Sequence, residues 1–140
     1  METMTQKEKE LLLKDLCARL PYGVKVRCDF GLDGEITEIS RTKNNLYYCK
    51  YLDCKEGYCY IESLKPYLFP LSSMTEEQEK EYNRWKHEVP VCHYEYGDVV
   101  EEIELYDSPS SFEYLIENHF DVYDLIPKGL AKDATGLNIY

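Results

Sequence analysis

No stretch of this 140-residue chain approaches the roughly 18 consecutive apolar residues that a membrane-spanning helix requires. Its first residues also lack an apolar run of targeting length. The expectation is a cytoplasmic protein with no membrane association. The fingerprints of nucleotide and hydrolytic chemistry are missing too: there is no G-x-G-x-x-G, no P-loop, no H-E-x-x-H and no G-x-S-x-G. No cofactor is expected. Basic residues are scarce, 16 Lys and Arg against 27 Asp and Glu, for a net charge of −11. The imbalance is local, with eleven bases and eleven acids in residues 1–70 but five against sixteen in residues 71–140. A field of that sign repels phosphate backbones and steers association toward basic protein partners.

Cysteine is plentiful, with six residues, but the secretory context that would make them a disulfide framework is absent. Reduced thiols filling core positions are expected. Cys49, Cys54 and Cys59 form a C-x₄-C-x₄-C array that could join His93 in a tetrahedral zinc set. Structural zinc sites close tighter turns than this spacing allows, so no metal is expected. A nucleophilic Cys–His pair would need an activating loop, and none surrounds any of the three histidines. His119 reads as a core or capping residue on the apolar face of a 110–119 helix, and His87 and His93 as exposed. The chain therefore reads as non-enzymatic.

With 44% hydrophobic residues the chain can bury a core, and the pattern predicts one α+β domain over 1–140. Thr5 and Glu8 have capping-box spacing, and Leu12, Leu13, Leu16, Cys17 and Leu20 form an apolar stripe ended by Pro21 and Gly23. These predict a helix over 6–19. From 24 to 68 the runs VKVRCDF, GEITEIS, NLYYCKYLD and YCYIES predict antiparallel strands. In the first of them Val24, Val26 and Cys28 alternate with Lys25, Arg27 and Asp29, the signature of a half-buried strand. Such spacing fits a small curved antiparallel sheet or an SH3-like, partly open barrel. A turn at Lys55-Glu56-Gly57 would set Cys54 opposite Cys59. Thr75 and Gln78 predict a second helix over 76–88, a surface helix pinned by Trp85. Residues 90–107 fit either a hairpin turning at Gly97-Asp98 or a helix through the Glu-rich run. Ser108-Pro109 opens a C-terminal helical part over 109–134, with Val122, Leu125, Ile126, Leu130 and Ala131 at helical steps interrupted by Pro127 and Gly129, which predicts a short helix, a break or kink and an irregular end.

The blocks LLLKDLCARLPYGVKV, ESLKPYLFPLSSMTEE and HFDVYDLIPKGLAKDA resemble those of a family of small uncharacterised proteins from gut-dwelling anaerobic bacteria, often associated with prophages or other mobile elements. The blocks cover about half the chain, and residues 80–107 correspond to a segment that varies within that family. The resemblance implies a bacterial or phage cytoplasmic setting and supplies no catalytic motif.

Tyrosine is the least ordinary feature: fourteen occur, and Tyr47, Tyr48, Tyr51, Tyr58, Tyr60 and Tyr67 concentrate in or just after the β-rich part. Tyrosine suits strands and recognition surfaces alike, because its ring packs while its hydroxyl stays wet. The candidate interaction surface is therefore Tyr47, Tyr48, Tyr51, Tyr58 and Tyr60, together with the carboxylates Glu101, Glu102 and Glu104. The leading expectation is an accessory or protein-interaction protein with a basic partner. Two alternatives compete with it. One is a small enzyme with a Cys/His/carboxylate site. The other is nucleic-acid binding through Arg27, Arg41, Lys43, Lys50 and Lys55 with tyrosine stacking.

Overall fold

A computed structural model describes residues 4–29, 31, 33–42, 47–51 and 58–140. The order of elements is α1 (Gln6–Arg19), β1 (Lys25–Cys28), β2 (Asp33–Arg41), β3 (Tyr47–Tyr51), β4 (Tyr58–Tyr60), β5 (Leu64–Leu68), α2 (Glu76–Arg84), β6 (His87–Glu95), β7 (Asp98–Tyr106), α3 (Pro109–Glu117) and β8 (Lys132–Asp133). The architecture is α+β with open sheets. The chain divides into two compact units, residues 1–73 with 116–140, and residues 74–115.

Local chemistry explains where α1 begins and ends. The Thr5 hydroxyl accepts the Glu8 N–H at 3.2 Å while the Glu8 carboxylate accepts the Thr5 N–H at 2.9 Å. At the other end the chain passes through a 3₁₀ turn at Leu20–Tyr22 to Gly23 at φ +75°, where a Cβ would lie 2.7 Å from the Glu35 carboxylate. The buried face differs from the expected stripe by part of a turn. Leu12 and Leu16 are fully buried as expected, but Asp15 and Arg19 share their face and Cys17 is exposed. Positions 12, 15, 16 and 19 follow the helical repeat, so two charged side chains occupy core positions and meet each other there.

The six-stranded sheet has the order β4-β3-β2-β1-β5-β8. Its first five strands form a meander whose last strand returns beside the first, after a 3₁₀ turn at Ile61–Ser63. β4 and β8 remain as edges, so the sheet stays open and does not close into the barrel that the sequence allowed. β2 serves two neighbours: residues 33–35 pair with β1 and residues 36–41 with β3, with a register shift between Ile36 and Glu38. β1 alternates as its sequence predicts, Val26 and Cys28 entering the core while Arg27 faces outward. β8 joins β5 in parallel, and the core unites Leu12, Leu16, Val24, Val26, Ile36, Ile61, Leu64 and Leu68 with Leu125, Leu130 and Ala131.

The C-terminal segment has the short helix and the irregular end expected of it, but the break comes earlier than Pro127 and no second helical stretch follows. Ser108 and Ser111 cap α3 reciprocally, Ser111 N–H to Ser108 Oγ at 3.0 Å and Ser108 N–H to Ser111 Oγ at 2.8 Å. The helix stops at Glu117, and His119 lies beyond it at φ +66°. The buried Asp121 carboxylate then accepts the N–H groups of Leu125 and Ile126 at 2.8 and 2.9 Å, organising turns in place of a helix. Leu125, Leu130 and Ala131 still reach the core, and Ile126 packs against it.

In the second unit α2 ends at Arg84, short of the expected 88, because His87 opens the β6–β7 pairing opposite Tyr106. Trp85, at the C-cap of α2, keeps 47% of its surface exposed. Tyr82 ties the helix down as well: its hydroxyl donates to Asp107, and its ring lies 6.3 Å from that of Tyr114.

Candidate functional site

Residues 87–106 settle as a hairpin, with nine paired positions from His87↔Tyr106 to Glu95↔Asp98. The turn is Tyr96-Gly97, one residue earlier than expected, with both residues at positive φ (+51° and +84°). This is the two-residue primed turn whose twist matches antiparallel strands. Asp98 is therefore the first residue of β7.

The register sorts the side chains between two faces, since directly opposed residues lie on the same side. One face carries Glu88/Leu105, Pro90/Ile103, Cys92/Glu101 and Tyr94/Val99. Its apolar members are open to solvent: Leu105 is 43% exposed, Ile103 66%, Tyr94 83% and Val99 63%, with Pro90 and Cys92 also exposed. The other face alternates Val89, Val91 and Val100 with carboxylates, and there His93 Nε2 approaches Glu95 at 3.7 Å and Glu102 at 4.0 Å. Neither lysine nor arginine occurs in 87–106, against six carboxylates. The hairpin thus presents a continuous apolar stripe within an acidic surround.

Glu101, Glu102 and Glu104 are all exposed on β7 but do not form a single carboxylate patch. Glu101 stands within the apolar face opposite Cys92, whereas Glu102 and Glu104 stand on the reverse face opposite Val91 and Val89. Among the tyrosines, Tyr47, Tyr48 and Tyr51 belong to β3 and Tyr58 and Tyr60 to β4, with Tyr48↔Tyr60 and Lys50↔Tyr58 paired. Tyr60 is 52% exposed; the side chains of the other four lie outside the description. The pairing of Cys59 is with Cys49, not Cys54, because β3 ends at Tyr51 and β4 begins at Tyr58. Cys54 falls outside the described residues, as do Lys43 and Lys55.

The histidine of the first unit has a defined environment. The His119 ring stacks on Tyr140, centroids 3.6 Å apart and planes at 14°. Burial, with the positive charges of Arg19 and Lys25, pushes its pKa down to about 4. The Tyr140 hydroxyl accepts the Lys25 N–H and donates to the Tyr67 carbonyl, both at 2.8 Å, at the position following the last β1–β5 pair. Although Tyr140 as a whole keeps 40% of its surface, its hydroxyl end is enclosed, and burial raises its pKa to about 12. Neither of two clefts on this unit includes a histidine in its lining. The Cys17 thiol is pushed up by partial burial, away from the thiolate a nucleophile needs. Among the described residues, no group of three His, Cys, Asp or Glu side chains is arranged to hold a metal, and no helix is long and apolar enough to cross a membrane.

No family model, curated protein or solved structure matches the chain. Function must be argued from the hairpin and the sheet themselves. The hairpin's apolar face went unseen in the sequence because the Glu-rich run masked it. The signal was the alternation of Pro90, Cys92 and Tyr94 against Val99, Ile103 and Leu105, legible only once the register is known.

Proposed function

We propose that this protein is a non-enzymatic interaction module that docks a basic protein partner on the Leu105–Val99 face of the β6–β7 hairpin, within a bacterial or prophage cytoplasm. The observation that supports this most directly is the exposed apolar stripe in a surround of carboxylates without a single lysine or arginine. Residues 74–115 carry twelve acids and three bases, so most of the chain's net charge belongs to this unit. A second copy of the chain would bring the same carboxylates together, and charge complementarity instead favours a partner rich in Lys and Arg around an apolar centre. In this division of labour the stripe supplies affinity and the acids supply orientation and encounter rate. The resemblance to a mobile-element family supports the cytoplasmic accessory setting.

The test is capture from a host lysate, followed by kinetics with the purified partner. A basic protein should be retained by the wild type and lost with Ile103→Ser, whose fold circular dichroism should show intact. Reversing Glu101, Glu102 and Glu104 to lysine should slow association more than it speeds dissociation. Raising salt from about 50 to 500 mM, which shortens the Debye length from roughly 14 to 4 Å, should do the same. Salt-insensitive binding that survives Ile103→Ser but is lost with Tyr60→Ala would move the site to the tyrosine-bearing strands and refute this reading.

A further inference from the structure

The outward face of β1, β5 and β8 gathers bases in an otherwise acidic protein. Arg27 on β1 is directly opposite Lys65 on β5, and Lys132 on β8 pairs with Tyr67, two positions along β5. Like charges opposed on neighbouring strands destabilise a sheet unless something neutralises them. Among the described residues neither lysine has a carboxylate within ion-pair distance. Arg27 is only partly engaged, with Asp33 at 3.5 Å and the Gly31 carbonyl at 3.2 Å.

These bases open onto two adjoining clefts. A smaller one, of about 300 Å³, has Arg27, Lys65 and Lys132 in its lining and, among the described residues, Asp29 as the acid beside them. The larger, of about 600 Å³, shares Arg27 and Lys132 but balances them with Asp33 and Asp133, and adds Tyr67, Leu137 and Ile139. Asp33 is already occupied by the Tyr67 hydroxyl at 2.8 Å. The Leu137–Ile139 wall ends in Tyr140, anchored by its stacked ring and its hydroxyl between the strands.

We propose that this face binds a small phosphomonoester, its phosphate among Arg27, Lys65 and Lys132 and its organic part against Tyr67, Leu137 and Ile139. A phosphomonoester at neutral pH approaches two negative charges, which the unpaired Lys65 and Lys132 can meet with Arg27 as a third donor. The neutral larger cleft accepts an uncharged body and, with Asp33 and Asp133 in its lining, disfavours a continued phosphate chain. A nucleic-acid strand is therefore the poorer fit. This inference is independent of the hairpin reading, which involves different residues.

Inorganic phosphate and phenyl phosphate serve as probes, followed by calorimetry and amide chemical shifts at low salt and pH 7.5. Both should bind saturably and move the amides of Arg27, Cys28, Gly31, Lys65 and Lys132, with phenyl phosphate tighter by about tenfold. The double variant Lys65→Gln, Lys132→Gln should retain its circular dichroism spectrum and weaken both ligands by at least about tenfold. Non-saturable binding, or unchanged affinity in the double variant, would overturn the site. Equal affinity for the two probes would overturn the monoester assignment. Binding of a single-stranded oligonucleotide through the same lysines without either small probe would give the face to nucleic acid and overturn it equally.

Discussion

Replacing Arg19 by methionine tests whether the first unit depends on a charge pair sealed in its core. Arg19 Nε lies 2.8 Å from Asp15 Oδ2, both side chains are fully excluded from solvent, and a second guanidinium nitrogen donates to the Phe120 carbonyl. Methionine fills much of the same volume but leaves the Asp15 carboxylate buried without a counter-charge. Breaking such a pair from one side costs about 3–5 kcal/mol, a large share of the roughly 5–15 kcal/mol that holds a domain folded. Burial already raises the Asp15 pKa despite its partner. In the variant it should rise further, so the deficit should be largest at neutral pH and shrink as acid neutralises the carboxyl group. Adding Asp15→Leu removes the orphaned charge and should recover at least about 2 kcal/mol, the remaining loss reflecting the Phe120 carbonyl left without its donor. Urea unfolding by far-UV circular dichroism at pH 7 and pH 5 measures each quantity. Fluorescence of Trp85, the single tryptophan, reports on the second unit in the same experiment. An Arg19→Met loss below about 1 kcal/mol at pH 7, or a double variant no more stable than the single, would refute the argument.

Acid should destabilise the first unit through His119. Its folded pKa of about 4 lies below the unfolded value of 6.5. The unfolded state therefore binds more protons, and stability present above pH 6.5 is lost as pH falls toward 4. Allowing for the ring's partial exposure, the contribution is about 1–2 kcal/mol, and a His119→Gln variant should lose that slope in urea titrations between pH 7 and 4.5. Tyr140→Phe should cost about 1–3 kcal/mol, because the Lys25 N–H and Tyr67 carbonyl both lose a partner; an unchanged urea midpoint would show water replacing the hydroxyl without cost. In native-state alkylation read by peptide mass spectrometry, Cys92 should modify quickly while Cys28 and Cys59, at 3% and 8% exposure, stay protected until urea is added. Labelling of Cys28 as fast as Cys92 would contradict the packing of β1.

Local signals were legible where one piece of chemistry decides. Thr5 and Glu8 located the start of α1, Ser108 and Pro109 that of α3, and the alternation from Val24 to Cys28 gave the buried face of β1. What stayed hidden depended on distant partners. Asp15 and Arg19 look like a surface i,i+4 pair until Leu12 and Leu16 are seen to bury the same face. Residues 122–131 have helical spacing, but the Asp121 carboxylate takes the N–H groups that a helix would have used. The β3–β4 register could not be read because mirror symmetry about Lys55-Glu56-Gly57 assumed a tight turn, whereas six residues separate the strands. The candidate tyrosines were visible as a cluster; the apolar hairpin face and the basic sheet face were not, since each is assembled by pairing across strands.

The nesting of residues 74–115 between the two parts of the first unit has a consequence for synthesis. As the chain leaves the ribosome, β1 to β5 emerge early, but β8 and the core residues Leu125, Leu130 and Ala131 arrive last. The acidic hairpin is complete while its host still waits, on the order of several seconds at ~5–20 residues per second. During that interval the side of β5 that will receive β8 is an open strand edge on the nascent chain. A message cut short after α3 would leave it so, with every other sheet strand already made.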